Sequence, residues 1–568
     1  MNSGARRAWV SAICLLCGSM IALQAWAGRY YMDPDGISYL DMADKLQHAD
    51  FTPLVHPYWS PLYPAILALA LKAFPAPSIE FPIAHLVNCL IALMALASFT
   101  FFISQYLRSH ARNGESMASF RCRSGFAYAL FLLGTLEAIG TEMVNPDLCV
   151  AALVYLAAGL CCRLAGGFGS PFTFGILGLT LGLAGLAKAA MLPLSIALLV
   201  LLAVPWLSGV ARRSLAIAFL CFIAVVGPYV FALSRSQHHL TLGEAGKLNY
   251  AWSVDRGIPI YVGWVKAGPF TGTPAHPPRL LNSDPPVLEF KDTISATYPL
   301  WYNPAYFHEG LLVHFSLKKE ISTVMRSVQV FRSASGYSLY PLLAGLLVLG
   351  CGASFRRVST NLSRSLLLYW SVAAVGLYVL VVILPRYIAP FMVMSWFTVY
   401  DALSPGRLKA VARGAVGATA ICLLLFQMLG IFKSATGVKE GVRADAQLTV
   451  ARALNRFGLR AGDEIATVGS GFEAYYARLS KLHIVANIGY TGGSAAEDSM
   501  VRLNDAEINA VEAKLRQLHV RAVVSEKSHL AAPGKEWNCI ENTGYCVLLT
   551  DTVAARDTTS SLGLQPTP

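Results

Sequence analysis

The chain has 568 residues, of which 55% are hydrophobic and only 14% charged, and its mean hydropathy is +0.51. Soluble domains run nearer a quarter charged, so this composition excludes an ordinary string of globular domains and points to a membrane protein. The net charge of +12 would suit nucleic acid, but the placement of the basic residues assigns most of it to membrane orientation.

Eleven apolar runs occur, at 9–27, 81–103, 125–140, 148–162, 171–187, 189–207, 214–233, 337–354, 365–385, 388–402 and 411–431. A helical span needs about 20 apolar residues, and the shorter runs sit in pairs. The first run, preceded by Arg6-Arg7, ends in Ala25-Trp26-Ala27, a small-x-small pattern that also suits a secretory signal. It is long for that, and a retained span is expected. Either way residue 28 emerges outside. The run near 62–74, flanked by Pro61, Pro64 and Pro75, reads as an interfacial helix.

With the N-terminus placed in the cytoplasm, the inside segments are 1–8, 104–124, 163–170, 208–213, 355–364 and 403–413. They hold fifteen Lys or Arg residues and one acid, Glu115. The first outside loop, 28–60, carries Asp33, Asp35, Asp41, Asp44 and Asp50 instead. This positive-inside pattern predicts a multi-pass protein of an inner, bacterial-type cell membrane, with the N-terminus inside and the C-terminus outside.

Three polar pieces follow on the outside: the loop 28–60, a second loop at 234–336, and a tail at 440–550. Unstructured loops as long as 234–336 are uncommon and usually functional. The tail alternates helix (446–457), strand (464–468), helix (471–479), strand (482–486), helix (505–518) and strand (520–524), which predicts a small extracytoplasmic α/β domain. Residues 553–568, rich in Thr, Ser and Pro, are read as disordered. The predicted architecture is therefore a polytopic α-helical bundle over 1–433, with a long outside loop and the α/β domain.

Several charged groups gather on the outside face. Asp33 and Asp35 lie in a Pro/Gly-bounded turn, where alternate residues point apart, so one of the two is expected to face a site. The helical spacing of Tyr39-Leu40-Asp41-Met42-Ala43 puts Asp35 near a helix N-terminus, where a carboxylate is favoured. A simple helix cap is the plainer alternative. Asp147, after Asn145-Pro146 at the outside end of a span, is costly at membrane depth and hence a functional candidate, or else a cap for the next helix. Lys188 and Arg386-Tyr387 each interrupt two apolar runs. Either cation could snorkel to the interface. Together, two carboxylates and two cations suit chemistry on an anionic lipid-borne substrate, the cations holding a phosphate and a carboxylate acting as base.

Other signals are weaker. His238, His239, His276, His308 and His314 lack ligand spacing and are not read as a metal site. Trp301-Tyr302-Asn303-Pro304 reads as an interfacial aromatic belt in preference to a sugar platform. Gly469-Ser470-Gly471 is too short for a nucleotide fingerprint. Cys539 and Cys546 fall in the outside tail around Asn542 and Gly544, turn residues that could reverse the chain, and a disulfide between them is expected in an oxidising compartment.

Asp33-Pro34-Asp35-Gly36-Ile37-Ser38-Tyr39, Trp59-Ser60-Pro61-Leu62-Tyr63-Pro64, Pro146-Asp147, Gly185-Leu186-Ala187-Lys188 and Arg386-Tyr387, in this order and on one face, resemble the GT-C glycosyltransferases. The likeness covers about residues 1–430 and is closest to the branch with the protein O-mannosyltransferases, the lipid A aminoarabinose transferase and the rhizobial lipopolysaccharide core transferases. It implies transfer of a sugar from a polyprenyl-phosphate donor to an extracytoplasmic acceptor. Asp35, with Asp33 as its neighbour, would act at the transfer centre and Asp147 beside it. Lys188 and Arg386, with Tyr387, would hold the donor phosphate. Tyr39, Trp59 and Tyr63 are expected to contact acceptor or sugar. No cofactor is demanded, and a divalent metal is left open. The first loop has Asp-Pro-Asp where the family carries an adjacent acidic pair, and the large loop and tail do not match its well-known members, so the acceptor is not implied. The competing classes are a lipid-linked glycan flippase or other transporter, and a scaffold whose tail binds partners. Transporters tend to carry inverted repeats and midplane charges. This sequence shows no repeat, and its charges lie at one interface.

Overall fold

The computed structural model describes residues 3–550 apart from 111–114, 205–206, 208–211, 257–270, 291–293, 335–338, 351–354, 404–409, 436–445, 491–500, 532 and 535. The tail at 553–568 and the inside basic residues Arg112, Arg407 and Lys409 lie outside the described residues.

Each of the eleven apolar runs carries a helix. In chain order the longer helices before the tail are α1 (Ser3–Ala27), α2 (Pro34–Gln47), α3 (Leu62–Ala73), α4 (Glu80–Ser109), α5 (Met117–Leu132), α6 (Asp147–Ala165), α7 (Pro171–Ala187), α8 (Met191–Leu202), α9 (Arg212–Ser236), α10 (Leu317–Ala334), α11 (Leu339–Gly350), α12 (Leu366–Val379), α13 (Pro385–Leu403) and α14 (Ala410–Ala435). Among the described residues, six helices are long and apolar enough to cross a membrane, and α3, α7, α8, α11 and α12 are shorter apolar helices. The protein is thus a multi-pass, mostly helical membrane protein. α4 packs along α6, and α7 along α9. A Cβ at Gly178 or Gly182 of α7 would run into Ala218 or Val225 of α9. Small residues that let helix backbones close in this way recur in membrane packing. The 62–73 helix packs on α2 and α4 with Tyr63, Leu67 and Leu71 buried.

Local chemistry sets the helix ends that matter. Pro34 begins α2 with Asp33 as its N-cap and Asp35 in its first turn. Pro146 precedes α6, so Asp147 opens that helix. α7 stops where Lys188 turns extended (φ −155, ψ 128), and Pro385 starts α13 one residue before Arg386. Proline suits the first helical turn because its missing N–H would have no partner there. Each of the four charged candidates therefore stands at a helix end, where the chain can bring it to a common surface.

The tail contains α15 (Ala446–Arg456) and α16 (Asp505–Gln517), the latter closed by a capping box between Asn504 and Glu507. Its helices and strands start and stop within about two residues of the sequence reading. One feature departs from it. The seven-stranded sheet runs β1 (Arg279–Ser283), β2 (Pro286–Glu289), β4 (His483–Ile488), β3 (Glu464–Val468), β5 (Ala522–Glu526), β7 (Tyr545–Leu549), β6 (Asn538–Ile540). Its parallel centre β4-β3-β5 belongs to the tail, but β1 and β2 come from the 234–336 loop: β2 pairs antiparallel onto β4, with Leu288 opposite Asn487, and β1 pairs antiparallel onto β2. Loop and tail thus share one sheet. At the other edge Cys539 faces Cys546 across the β6–β7 pair, and a disulfide joins them with Cα atoms 3.9 Å apart.

Candidate active site

The four charged residues meet at one cavity of about 310 Å³, lined by Asp35, Asp147, Lys188, Arg386, Tyr387 and Asn145 among others. Arg386 Nη2 donates to Asp35 Oδ2 at 2.9 Å, and its Nε lies 3.5 Å from Asp147 Oδ2. Lys188 Nζ donates to Asp147 Oδ1 at 2.5 Å and sits 3.4 Å from the centre of the Tyr387 ring. The carboxylates and cations alternate, so each charge is neutralised in a setting where an isolated one would be costly. A second, independent feature marks the cavity as built for a ligand. Arg386 Nε and Asn145 Nδ2 are buried and make no hydrogen bond. The Asn145 amide is oriented by its Oδ1, which accepts from Asp147 N at 3.0 Å. Buried donors rarely lack a hydrogen bond, so Asn145 Nδ2, and Arg386 Nε beyond its 3.5 Å ion pair with Asp147, can each take an acceptor.

Asp33 and Asp35 do point apart. Asp35 lines the cavity and accepts from Trp301 Nε1 at 3.3 Å. Asp33 turns inward, is 3% exposed, and accepts from Val144 N at 2.7 Å, tying α2 to the segment before α6. Burial, and then the charge of Asp35, push its carboxyl up to about 7. Asp33, expected as the neighbour of Asp35 at the transfer centre, does not line the cavity, and its carboxylate accepts from the backbone N–H groups of Val144 and Gly36.

The aromatic candidates divide in the same way. Tyr39 and Trp59 line the cavity. Tyr63 does not: it is fully buried, its hydroxyl donates to Asn88 Oδ1 at 2.7 Å, and its ring packs edge-on against Tyr39. It supports the wall from behind. Trp301, assigned by sequence to a membrane belt, is 6% exposed and holds Asp35. Packing of Phe472 against it, at 4.8 Å between ring centres, brings the tail within one residue of Asp35. Nothing in the Trp301-Tyr302 pattern distinguishes this role from a belt. His56 is fixed as a structural group, its Nδ1 accepting from the N–H groups of Tyr58 and Trp59. Burial, and then the nearby Lys45, lower it to about 3. It stays neutral and sets the turn that presents Trp59.

Sequence reading missed a second charged cluster altogether. Arg478 of the tail donates to Glu80 through Nε (3.1 Å) and Nη2 (2.5 Å), and to Asp41 Oδ1 through Nη1 (2.8 Å). Lys481 adds contacts to Asp44 and Glu80. Asp41 also accepts from Thr297 N and Oγ1. Tail, large loop and α2 are thereby clamped together some two turns from Asp35. Among the described residues no group of three or more His, Cys, Asp or Glu could hold a metal ion.

No protein-family model matches the sequence, and no curated protein matches it. The structure is similar to that of ArnT from Cupriavidus metallidurans bound to undecaprenyl phosphate, with TM-score 0.50 and 11% identity over 96% of this chain and 98% of that one. The chain has a GT-C-like fold. The apo form of the same ArnT gives TM-score 0.48 at 13% identity, covering 94% of this chain and 97% of that one. The apo oligosaccharyltransferase of Archaeoglobus fulgidus gives 0.45 at 14% identity, covering 91% and 70%. At such identities the likeness concerns the fold.

Proposed function

We propose that this GT-C-like protein is an integral membrane glycosyltransferase that moves a sugar from a polyprenyl-phosphate donor to an extracytoplasmic glycan, lipid or protein, inverting the anomeric carbon. The observation that carries this is the cavity in which Arg386 and Lys188 face Asp35 and Asp147, with two buried donors, Arg386 Nε and Asn145 Nδ2, making no hydrogen bond. The fold shared with an ArnT bound to undecaprenyl phosphate supports the same donor class.

The chemistry follows from the geometry. The donor phosphate would bind beside Arg386 and Lys188, taking hydrogen bonds from Arg386 Nε and Asn145 Nδ2. Two fixed cations stabilise charge as it develops on the departing phosphate oxygen. The acceptor hydroxyl attacks the anomeric carbon from the opposite face and its proton passes to Asp35. The new C–O bond forms as the C–O bond to phosphate breaks, and that electron pair leaves on the phosphate. Arg386 and the Trp301 indole N–H keep Asp35 aimed into the cavity until the acceptor arrives. Asp147, held by Lys188, orients the acceptor and fixes the lysine.

The reaction requires eleven spans with the N-terminus inside, so that the cavity, the large loop and the tail all lie outside. Reporter fusions at residues 290 and 500 are expected to read extracytoplasmic, and a cytoplasmic signal at either overturns the reading. The direct test incubates the purified protein in lipid nanodiscs with a polyprenyl-phosphate sugar and an envelope extract, and follows release of free polyprenyl phosphate. No release with any polyprenyl-phosphate sugar, alongside movement of lipid-linked glycan across a vesicle membrane, would assign the protein to the flippase class.

A further inference from the structure

The helices that carry the catalytic candidates end at a second cavity. On α13, Thr398 lies twelve residues beyond Arg386, and on α6, Cys161 lies fourteen beyond Asp147. At about 1.5 Å rise per residue these are separations of roughly 20 Å along the helix axes, which puts the second cavity at the opposite face of the bundle. Its volume is about 490 Å³, larger than that of the first, and it is lined by Arg364, Ser365, Leu366, Leu367, Thr398 and Asp401 among others.

Three features of different origin converge there. Ser365 caps α12, its hydroxyl accepting from Leu368 N at 3.3 Å, so the first-turn N–H groups of Leu366 and Leu367 stand ahead of the helix's own hydrogen-bond ladder. A helix start of this kind favours an anion. Thr398 is 4% exposed and its hydroxyl, buried in the wall, has no hydrogen-bond partner. Arg364 is an exposed cation at the rim, next to the helix cap. The one carboxylate in the lining, Asp401, is already matched: Arg123 Nε donates to it at 2.8 Å, while Arg123 Nη1 and Arg6 Nη2 share Glu115. Counting Arg6, Arg123 and Arg364 against Glu115 and Asp401 leaves one positive charge. Leu366, Leu367 and Cys161 give the cavity an apolar floor.

We infer that this cavity is a second ligand site, for a phosphate group carried on an apolar chain: a phospholipid headgroup of the leaflet opposite the catalytic face. The phosphate would take the α12 N–H groups, the Thr398 hydroxyl and Arg364, and its chains would lie along the leucines. The inference stands apart from the transferase reading, since it uses none of the catalytic candidates.

Native mass spectrometry of the full-length protein in detergent tests it, with dioleoyl phosphatidic acid, dioleoylglycerol and inorganic phosphate as probes. Phosphatidic acid should be retained and dioleoylglycerol, which has the same chains and no phosphate, should not. Arg364→Ala should weaken retention about tenfold or more, the usual scale for a charge-assisted hydrogen bond. Thr398→Val, which keeps the shape and removes the hydroxyl, should weaken it severalfold, and Asp35→Asn should leave it unchanged. Inorganic phosphate bound with the same variant dependence would support the site with free phosphate as its ligand. Equal retention of the two lipids, or equal affinity in wild type and both variants, would overturn the inference.

Discussion

Two buried charge clusters touch helix α2, and they are built on opposite plans. Around Arg478 every guanidinium nitrogen is used, by Glu80 or Asp41, and the residue is 3% exposed. Around Arg386 one nitrogen holds Asp35, Nε lies 3.5 Å from Asp147 in an ion pair without a hydrogen bond, and an open cavity lies alongside. Both clusters contain arginine, lysine and carboxylates, so residue type does not separate them. Satisfaction does. A closed network fixes a structure, whereas an open one with donors to spare awaits a ligand. Because Asp35 and Asp41 stand on the same helix, the closed cluster also holds the open one in place.

The largest effect that would break this contrast is at Asp35. Asp35→Asn keeps the side chain's shape and removes the base, so transfer should fall by about 10²–10⁴ with the melting temperature little changed. Next comes Arg386→Lys. The charge survives but the fork that reaches Asp35 and the cavity together is lost. The concentration of donor needed for half-maximal transfer should rise about tenfold. Unchanged donor dependence would mean that Arg386 serves only as an anchor. The third is Arg478→Met. It takes the guanidinium from the buried Glu80 and Asp41, leaving Lys481 at Glu80 and Thr297 at Asp41, and breaking a buried pair in this way costs about 3–5 kcal/mol. The melting temperature should drop sharply, and transfer should fall in the surviving folded protein because α2 is freed. If Asp35→Asn destabilises as much as Arg478→Met, the distinction between the clusters fails.

The open cluster was legible in the sequence and the closed one was not, for a physical reason. Asp35, Asp147 and Arg386 each sit beside Pro or Gly and Lys188 sits between two apolar runs, and the order of the spans assigns all four to one face. Arg478 lies in a short helix of a soluble-looking tail, and its partners Asp41 and Glu80 are 437 and 398 residues away. Nothing local marks such pairs. The same holds for β1 and β2: short strands in a Pro-rich loop join the tail's sheet only through long-range pairing. Trp301 shows the converse. Its composition signal is real, but burial against Phe472 and a bond to Asp35 turn an apparent belt residue into part of the site. Hydrophobic period and helix punctuation are local, and clamps and sheet edges are not.

The smallest predicted effect concerns Asp33, which belongs to neither cluster although it is two residues from Asp35. Its carboxyl is pushed from 3.8 up to about 7 by burial and by Asp35. The folded protein therefore holds a proton there that the unfolded chain has already released. That contribution to stability is complete below about pH 4, is lost as pH rises towards 7, and stays lost above it. Asp33→Asn retains an acceptor for Val144 N and cannot ionise, so it lacks this dependence. The difference in melting temperature, wild type minus variant, should be most positive near pH 4 and fall to a lower plateau above pH 7, with other titrating groups cancelling. In an Asp35→Asn background, where the neighbouring charge is gone, the fall should move to lower pH. A difference that stays flat from pH 4 to 8 would mean that Asp33 remains ionised beside Asp35, making it a charged member of the open cluster.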